Sequence, residues 1–285
     1  MTLQIALLAM TFLFIFLPGC ATIAGSFNPQ VYTEELAQEH QFIKQRIPTS
    51  VFTLTAYKRL KSPGKPLSVY IEGDGRAWLS KNQISDDPTP FHPMTLELAA
   101  KDPSANVAYL GRPCQYDNSA MQRPCEPAYW SNKRFSEEVI VSTNEALDAL
   151  MREAKASEID LVGYSGGGAV AVLVAARRHD VSSIRTVAGN LDPEEVNRHH
   201  HVSSLAGSLD PMTAASVISK IPQRHFTGSM DKVVPASVIR NFIKTSGEQN
   251  CIQVTEVPEA THHSGWVERW DELFRLPISC AELTG

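Results

Sequence analysis

Ile159-Asp160-Leu161-Val162-Gly163-Tyr164-Ser165-Gly166-Gly167 reads as a short apolar strand that runs straight into glycine. An apolar run this brief, bounded by a turn signal, fits a buried strand. The residues after it, 167–177, are small and apolar and fit a buried helix. One serine stands between the two, with the spacing G-x-S-x-G. A chain passing from strand to helix in so few residues needs glycine beside the turning residue, because a Cβ there would clash. The serine hydroxyl is then left exposed at the tip of the turn. A glycine-rich turn that merely opens a helix would give a similar string. A phosphate-binding loop would need G-x-x-x-x-G-K-[ST], and that spacing is missing. The strand before and the helix after favour a nucleophilic Ser165.

Outward from this stretch, strands and helices alternate. Residues 51–60, Leu67–Ile71, 107–110, 184–188, 225–227 and 251–257 read as strands. Residues 135–154 carry Val139, Ile140, Ala146, Leu147, Leu150 and Met151 at helical spacing. Pro235 opens a helix to about Lys244, since proline suits the first helical position, and 267–274 closes the series. Such alternation predicts an α/β fold with a mostly parallel sheet and helices on both faces. Functional residues then belong in loops at the carboxyl ends of the strands. Residues 190–222 carry turn signals, Asp192-Pro193 and Asp210-Pro211, and are expected to form at most a small cap over a site. Residues 77–101 and 115–133 are expected at the entrance. Their aromatics (Trp78, Phe91, Tyr116, Tyr129, Trp130) suit either an acyl group or ordinary packing.

The chain has 285 residues, 43% hydrophobic and 20% charged, enough for a sizeable core. Its net charge of −5, from 26 basic and 31 acidic residues, gives no electrostatic footprint for nucleic acid. The first 19 residues are different in kind. No charged side chain occurs before Glu34, and the apolar run from Leu3 to Leu17 is shorter than the ~20 residues of a spanning helix. It fits the core of a signal peptide, although no Lys or Arg precedes it. The run ends in Leu17-Pro18-Gly19-Cys20, which resembles a bacterial lipobox. The resemblance implies cleavage before Cys20 and lipidation of Cys20, so residues 1–19 are expected to be a leader. Residues 20–50 are expected to be a tether and N-terminal segment, and residues 51–285 the folded domain. Ala21 after the cysteine implies, in a Gram-negative cell, the periplasmic side of the outer membrane. Setting Cys20 aside leaves four of the five cysteines. Export favours pairing, and proximity along the chain favours Cys114 with Cys125 and Cys251 with Cys280. No C-x-x-C or close Cys/His set points to zinc.

A serine hydroxyl is a poor nucleophile without a base and a group that orients the base. Three separated motifs resemble the α/β-hydrolase family and imply where these stand. G-x-S-x-G is at Gly163 to Gly167. Gly228-Ser-Met-Asp231-Lys-Val-Val-Pro235 matches the acid loop that often reads G-x-x-D-x-x-V-P. Pro258-Glu-Ala-Thr-His262-His263-Ser-Gly-Trp266 follows the last strand, where the base belongs. The resemblance covers roughly 51–274 and implies the catalytic set Ser165, Asp231 and His262. His263 competes for the base, with the spacing to Trp266 favouring His262. Asp192 and then Asp210 are alternative acids. It further implies an oxyanion hole from the backbone of Gly166 and of Asp74, with Gly75 next. Tyr70-Ile-Glu72-Gly73-Asp74-Gly75 is similar to the family's H-G-x-G loop with Glu72 in place of histidine. That acidic pair has to point away from an oxyanion or pair with Arg76. His199-His200-His201 read as a solvated loop rather than a metal site. No cofactor or metal is expected.

The implied function is hydrolysis of an ester or related acyl bond of a small or lipid-like substrate. Acyl transfer by the same triad and a non-catalytic envelope lipoprotein that keeps the fold for binding are the alternatives. The altered Glu72 loop supports the second of these.

Overall fold

A computed structural model describes residues 27–116, 124–247 and 249–281. The leader expected at 1–19 and the lipidation expected at Cys20 lie outside the described residues. The chain opens with helix α1 (Pro29–Glu39), which starts where Asn28 caps the backbone N–H groups of Gln30 and Val31. Strands β1 (Ile43–Pro48), β2 (Thr53–Leu60) and β3 (Leu67–Ile71) follow, then a small hairpin of β4 (Trp78–Ser80) and β5 (Gln83–Ile84). Next come α2 (Met94–Ala100), β6 (Asn106–Leu110), α3 (Glu137–Ala154), β7 (Ile159–Tyr164) and α4 (Gly166–Ala175). The second half holds β8 (Val181–Val187), α5 (Pro193–His200), β9 (Gln223–Gly228), α6 (Ser237–Ser246), β10 (Ile252–Val257) and α7 (Trp270–Phe274).

Eight strands form one sheet in the order β1-β2-β6-β3-β7-β8-β9-β10. β2 pairs antiparallel with both β1 and β6, and all pairs from β6 to β10 are parallel. Parallel strands covered on both faces should be apolar along their whole length, and β3 and β6 are buried throughout. Alternate side chains serve two separate cores. Val69, Ile71, Ala108, Leu110 and Leu161 join α3, α4 and α6 on one face. Tyr70, Tyr109, Val162 and Tyr164 join α1, α2 and α7 on the other.

The folded body begins earlier than residue 51. Residues 29–39 are helical, and β1 extends the sheet with Ile47 opposite Leu54. The N-terminal segment expected to be a tether is therefore part of the fold from Pro29 onward. Its alternation is weak because β1 is an edge strand with one wet face. Both disulfides join the expected cysteines, Cys114–Cys125 in the loop after β6 and Cys251–Cys280 beside β10. Each is worth about 3 kcal/mol in the loop-closure account. Residues 190–222 do not roof a site. α5 packs on α6, where Asn241 Nδ2 donates to Asp192 Oδ2 at 2.8 Å, and the short turn Pro211–Ala214 packs on α4. Among the described residues no helix is long and apolar enough to cross a membrane.

Candidate active site

Chain order reverses around β3, which lies between β6 and β7. The loops leaving β3 and β7 must diverge there, opening a crevice at the carboxyl ends of the two strands. Ile71 ends β3 opposite Gly163 of β7, so the turn 72–76 and Ser165 face each other across it. Ser165 sits at φ 51°, ψ −119°, between β7 and α4. Such a conformation costs a non-glycine residue about 1–3 kcal/mol. Its neighbours hold it. Ser165 N–H donates to Val187 O at 3.0 Å, and Ser165 O accepts from Gly168 N–H at 3.0 Å and Asn190 N–H at 2.9 Å. A Cβ on Gly163 would overlap Gly167 O, and one on Gly167 would overlap Ile71 O and Glu72 O. These two glycines are steric requirements of the turn.

Ser165 Oγ lies 3.0 Å from His262 Nε2, and His262 Nδ1–H donates to Asp231 Oδ2 at 2.9 Å. The imidazole and the carboxylate are nearly out of water, with side chains 6% and 2% exposed. Asp231 Oδ1 accepts from Val233 and Val234 N–H at 2.8 and 2.9 Å. Burial pushes the Asp231 carboxyl up, but the His262 hydrogen bond and charge and the two amides outweigh it. The net result is an acid below its usual range. It therefore stays ionised and holds Nδ1 protonated, which leaves Nε2 free to accept the serine proton. His262 is fixed from behind: its carbonyl accepts from Tyr164 OH at 3.0 Å and Trp266 Nε1 at 3.1 Å.

The neighbouring His263 turns away from the serine. Its Nδ1 meets Tyr164 OH at 2.9 Å. Because that hydroxyl donates to His262 O, His263 must present an N–H to it. Burial, then the nearby His262, holds the His263 imidazole below its usual value. The alternative acids are elsewhere. Asp192 caps α5 through Glu195 N–H, and Asp210 caps the turn at Pro211 through Met212 N–H. Of the histidine triplet, His199 and His200 close α5 and His200 Nε2 donates to Val233 O at 2.8 Å. Among the described residues no group of three His, Cys, Asp or Glu is placed to hold a metal ion.

Of the two arrangements expected for the acidic turn 72–76, Glu72 takes the first, pointing away, and Asp74 finds arginines other than Arg76. Glu72 points inward and is buried. Its Oε1 accepts from Gly73 N–H at 2.9 Å, and its Oε2 accepts from Thr95 N–H and Oγ1–H, both at 3.1 Å. Burial pushes its carboxyl up to about 7, against the pull of those donors. Asp74 lies against Gly166, where a Cβ would overlap its carboxylate. It pairs with Arg112 Nη1 at 3.1 Å and Arg134 Nε at 3.4 Å. Arg112 also donates to Arg134 O, and Gln115 Nε2 donates to Gly73 O at 3.0 Å. Arg112 and Gln115 went unrecognised in the sequence. Their one signal is position: Gly111-Arg112-Pro113 follows the carboxyl end of β6. Gly75, at φ 66°, has no room for a side chain against Pro88 O. The turn thus sets the Asp74 side chain against Gly166.

A cavity of about 800 Å³ opens over Ser165 and His262, within the size range of small-molecule sites. Trp78 and Phe91, each 45% exposed, and Met94 form part of its wall. Residues 115–133 do not line it, counting those described. Tyr116 and Trp130 are packing residues instead: Tyr116 OH meets Tyr109 OH at 3.0 Å and Trp130 Nε1 donates to Ser85 O at 2.9 Å. Tyr129 packs edge-on against Phe52. The first described residue reaches the cavity rim, with the Phe27 ring 5.4 Å from His92 and 6.0 Å from Phe91.

No family model and no curated protein matches this chain. Solved structures do. An esterase from Pyrococcus furiosus aligns at a TM-score of 0.58 and 12% identity, over 84% of this chain and 92% of its own. Est1E from Butyrivibrio proteoclasticus aligns at 0.55 and 15%, over 81% and 95%. A serine hydrolase homologue from Coxiella burnetii aligns at 0.54 and 14%, over 82% and 94%. At such identities the likeness is one of fold.

Proposed function

We propose that this chain, an α/β-hydrolase by fold, is a serine hydrolase that cleaves an ester or related acyl bond. The observation that carries the reading is the relay Ser165 Oγ–His262 Nε2 at 3.0 Å and His262 Nδ1–Asp231 Oδ2 at 2.9 Å. Ser165 attacks the acyl carbon while Nε2 takes its proton, and Asp231 stabilises the imidazolium that forms. The oxyanion is held by the backbone N–H of Gly166, at the positive end of α4, and by that of Asp74, with Gly75 adjoining. His262 returns the proton to the leaving alcohol, and an acyl-enzyme remains. Water, deprotonated by His262, then releases the acid and frees Ser165.

The test is hydrolysis of p-nitrophenyl esters of increasing chain length by the protein and by Ser165→Ala. Turnover that depends on Ser165, with its labelling by a fluorophosphonate, is the expected result. No turnover and no labelling leaves the non-catalytic reading in its place. We further propose export and a lipid anchor on Cys20. Support comes from the two pairs of cysteines within disulfide distance and from the leader-like N-terminus. Labelling of the protein by palmitate, lost in Cys20→Ser, checks it.

A further inference from the structure

The walls of the cavity are unevenly charged, and the unevenness lies beside Ser165. Arg76, two residues past Asp74, and Arg134 both line the cavity. Arg134 Nε lies 3.4 Å from Asp74 Oδ2 as an ion pair but makes no hydrogen bond, and no acceptor for its two Nη groups occurs among the described residues. Arg76 meets no carboxylate among the described residues. Its guanidinium lies 4.7 Å from the centre of the Phe91 ring, and its Nε is buried without a hydrogen-bond partner. Arg112 stands behind them on Asp74. Three guanidiniums therefore gather at this turn against two carboxyls: Asp74, paired with Arg112 and Arg134, and Glu72, which burial raises to about 7.

Other acids around the cavity do not cancel this charge. Glu97 is bound by Tyr32 OH at 2.9 Å and pushed up by burial, and Glu268 is exposed to water. His92 is the remaining ionisable group beside Glu97 on that wall. A partly buried guanidinium with unused donors is a fork for a carboxylate or phosphate. The apolar faces of Phe91 and Trp78 nearby lower the local dielectric and strengthen such a pair.

Resting on the hydrolase reading above, we infer that Arg76 and Arg134 bind an anionic group of the substrate, so that the preferred ester carries a carboxylate or phosphate near the scissile bond.

The test uses the full chain in non-ionic detergent and two matched pairs of esters. Mono-p-nitrophenyl adipate against p-nitrophenyl hexanoate places the charge in the acyl part. 1-Butyrylglycerol 3-phosphate against 1-butyrylglycerol places it in the alcohol. At least a tenfold higher kcat/KM for the charged member of one pair is expected, and the pair that shows it identifies the source of the anion. Arg76→Gln lowers that ratio about tenfold and Arg76→Glu inverts it. Ratios within twofold of unity in both pairs, or ratios unmoved by either Arg76 variant, overturn the inference. The arginines then serve the turn and the oxyanion alone. If no ester is turned over and Ser165 resists a fluorophosphonate, the hydrolase reading fails but the anion site is still read by binding. A saturable rise in Tm of Ser165→Ala with monomethyl adipate or glycerol 3-phosphate, lost on adding Arg76→Gln, supports it. The absence of any saturable rise overturns it.

Discussion

Two turns meet over Ser165, and they are held by different means. The β7–α4 turn is held by backbone: Val187 O, Gly168 N–H and Asn190 N–H fix Ser165, and glycines at 163 and 167 make room. The turn after β3 is held by side chains. Glu72 binds Thr95, Asp74 binds Arg112 and Arg134, and Gln115 binds Gly73 O. A backbone-held turn tolerates little variation at its own positions. A side-chain-held turn depends on residues far along the chain, so its weak points lie elsewhere.

The largest effect expected is on chemistry at the first turn. Ser165→Ala and His262→Ala should each lower kcat by about 10⁴–10⁶-fold while thermal melting stays within a few degrees. A retained rate in either variant would remove that residue from the proposed mechanism. Steric changes at the same turn come next. Gly167→Ala drives a Cβ into Ile71 O and Glu72 O, which are backbone atoms, and should cost about 3 kcal/mol or more. Gly166→Ala meets first the Asp74 carboxylate, a side chain rather than backbone, so denaturant melts should show a smaller loss. Equal losses would contradict the contrast between the turns.

At the second turn, Arg112→Gln should lower kcat about 10- to 100-fold with little change in KM, because in the proposed mechanism the loss falls on the oxyanion donor at Asp74. A change in KM alone would assign Arg112 to substrate binding. The remaining effect is on the pH dependence of stability rather than on rate. Folding raises the Glu72 carboxyl from 4.5 to about 7. Between those values the folded chain holds a proton that the unfolded chain has released. Its contribution is thus full below about pH 4.5, declines by about 3 kcal/mol as pH rises to 7, and is level above. Glu72→Gln should flatten this slope in melts from pH 4.5 to 8, whatever its absolute stability. An unchanged slope would place the titration on another group.

Legibility in the sequence follows the same division. The main-sheet strands from β2 to β10 and the elbow are local patterns that apolar runs and glycine spacing reveal, whereas the acid loop was legible only as a resemblance to the family's G-x-x-D-x-x-V-P. β1 was missed because an edge strand lacks a continuous apolar run. The entrance was half legible: Trp78 and Phe91 line it, whereas Tyr116, Tyr129 and Trp130 are core. An aromatic side chain suits both settings, and only packing distinguishes them.

By itself the sequence determined the alternation that makes a parallel sheet, and a serine set on a turn with no room for side chains beside it. Both are consequences of short-range sterics and of apolar spacing. Tertiary structure decided which histidine faces the serine, a choice that the spacing to Trp266 had only favoured, because adjacent residues in one loop point opposite ways. It also decided that Asp74 pairs with Arg112, 38 residues away, while Ser165 Oγ meets His262, 97 residues away. Such partners are chosen by the order of strands in the sheet, which brings distant loops to one end, and no local pattern encodes that order.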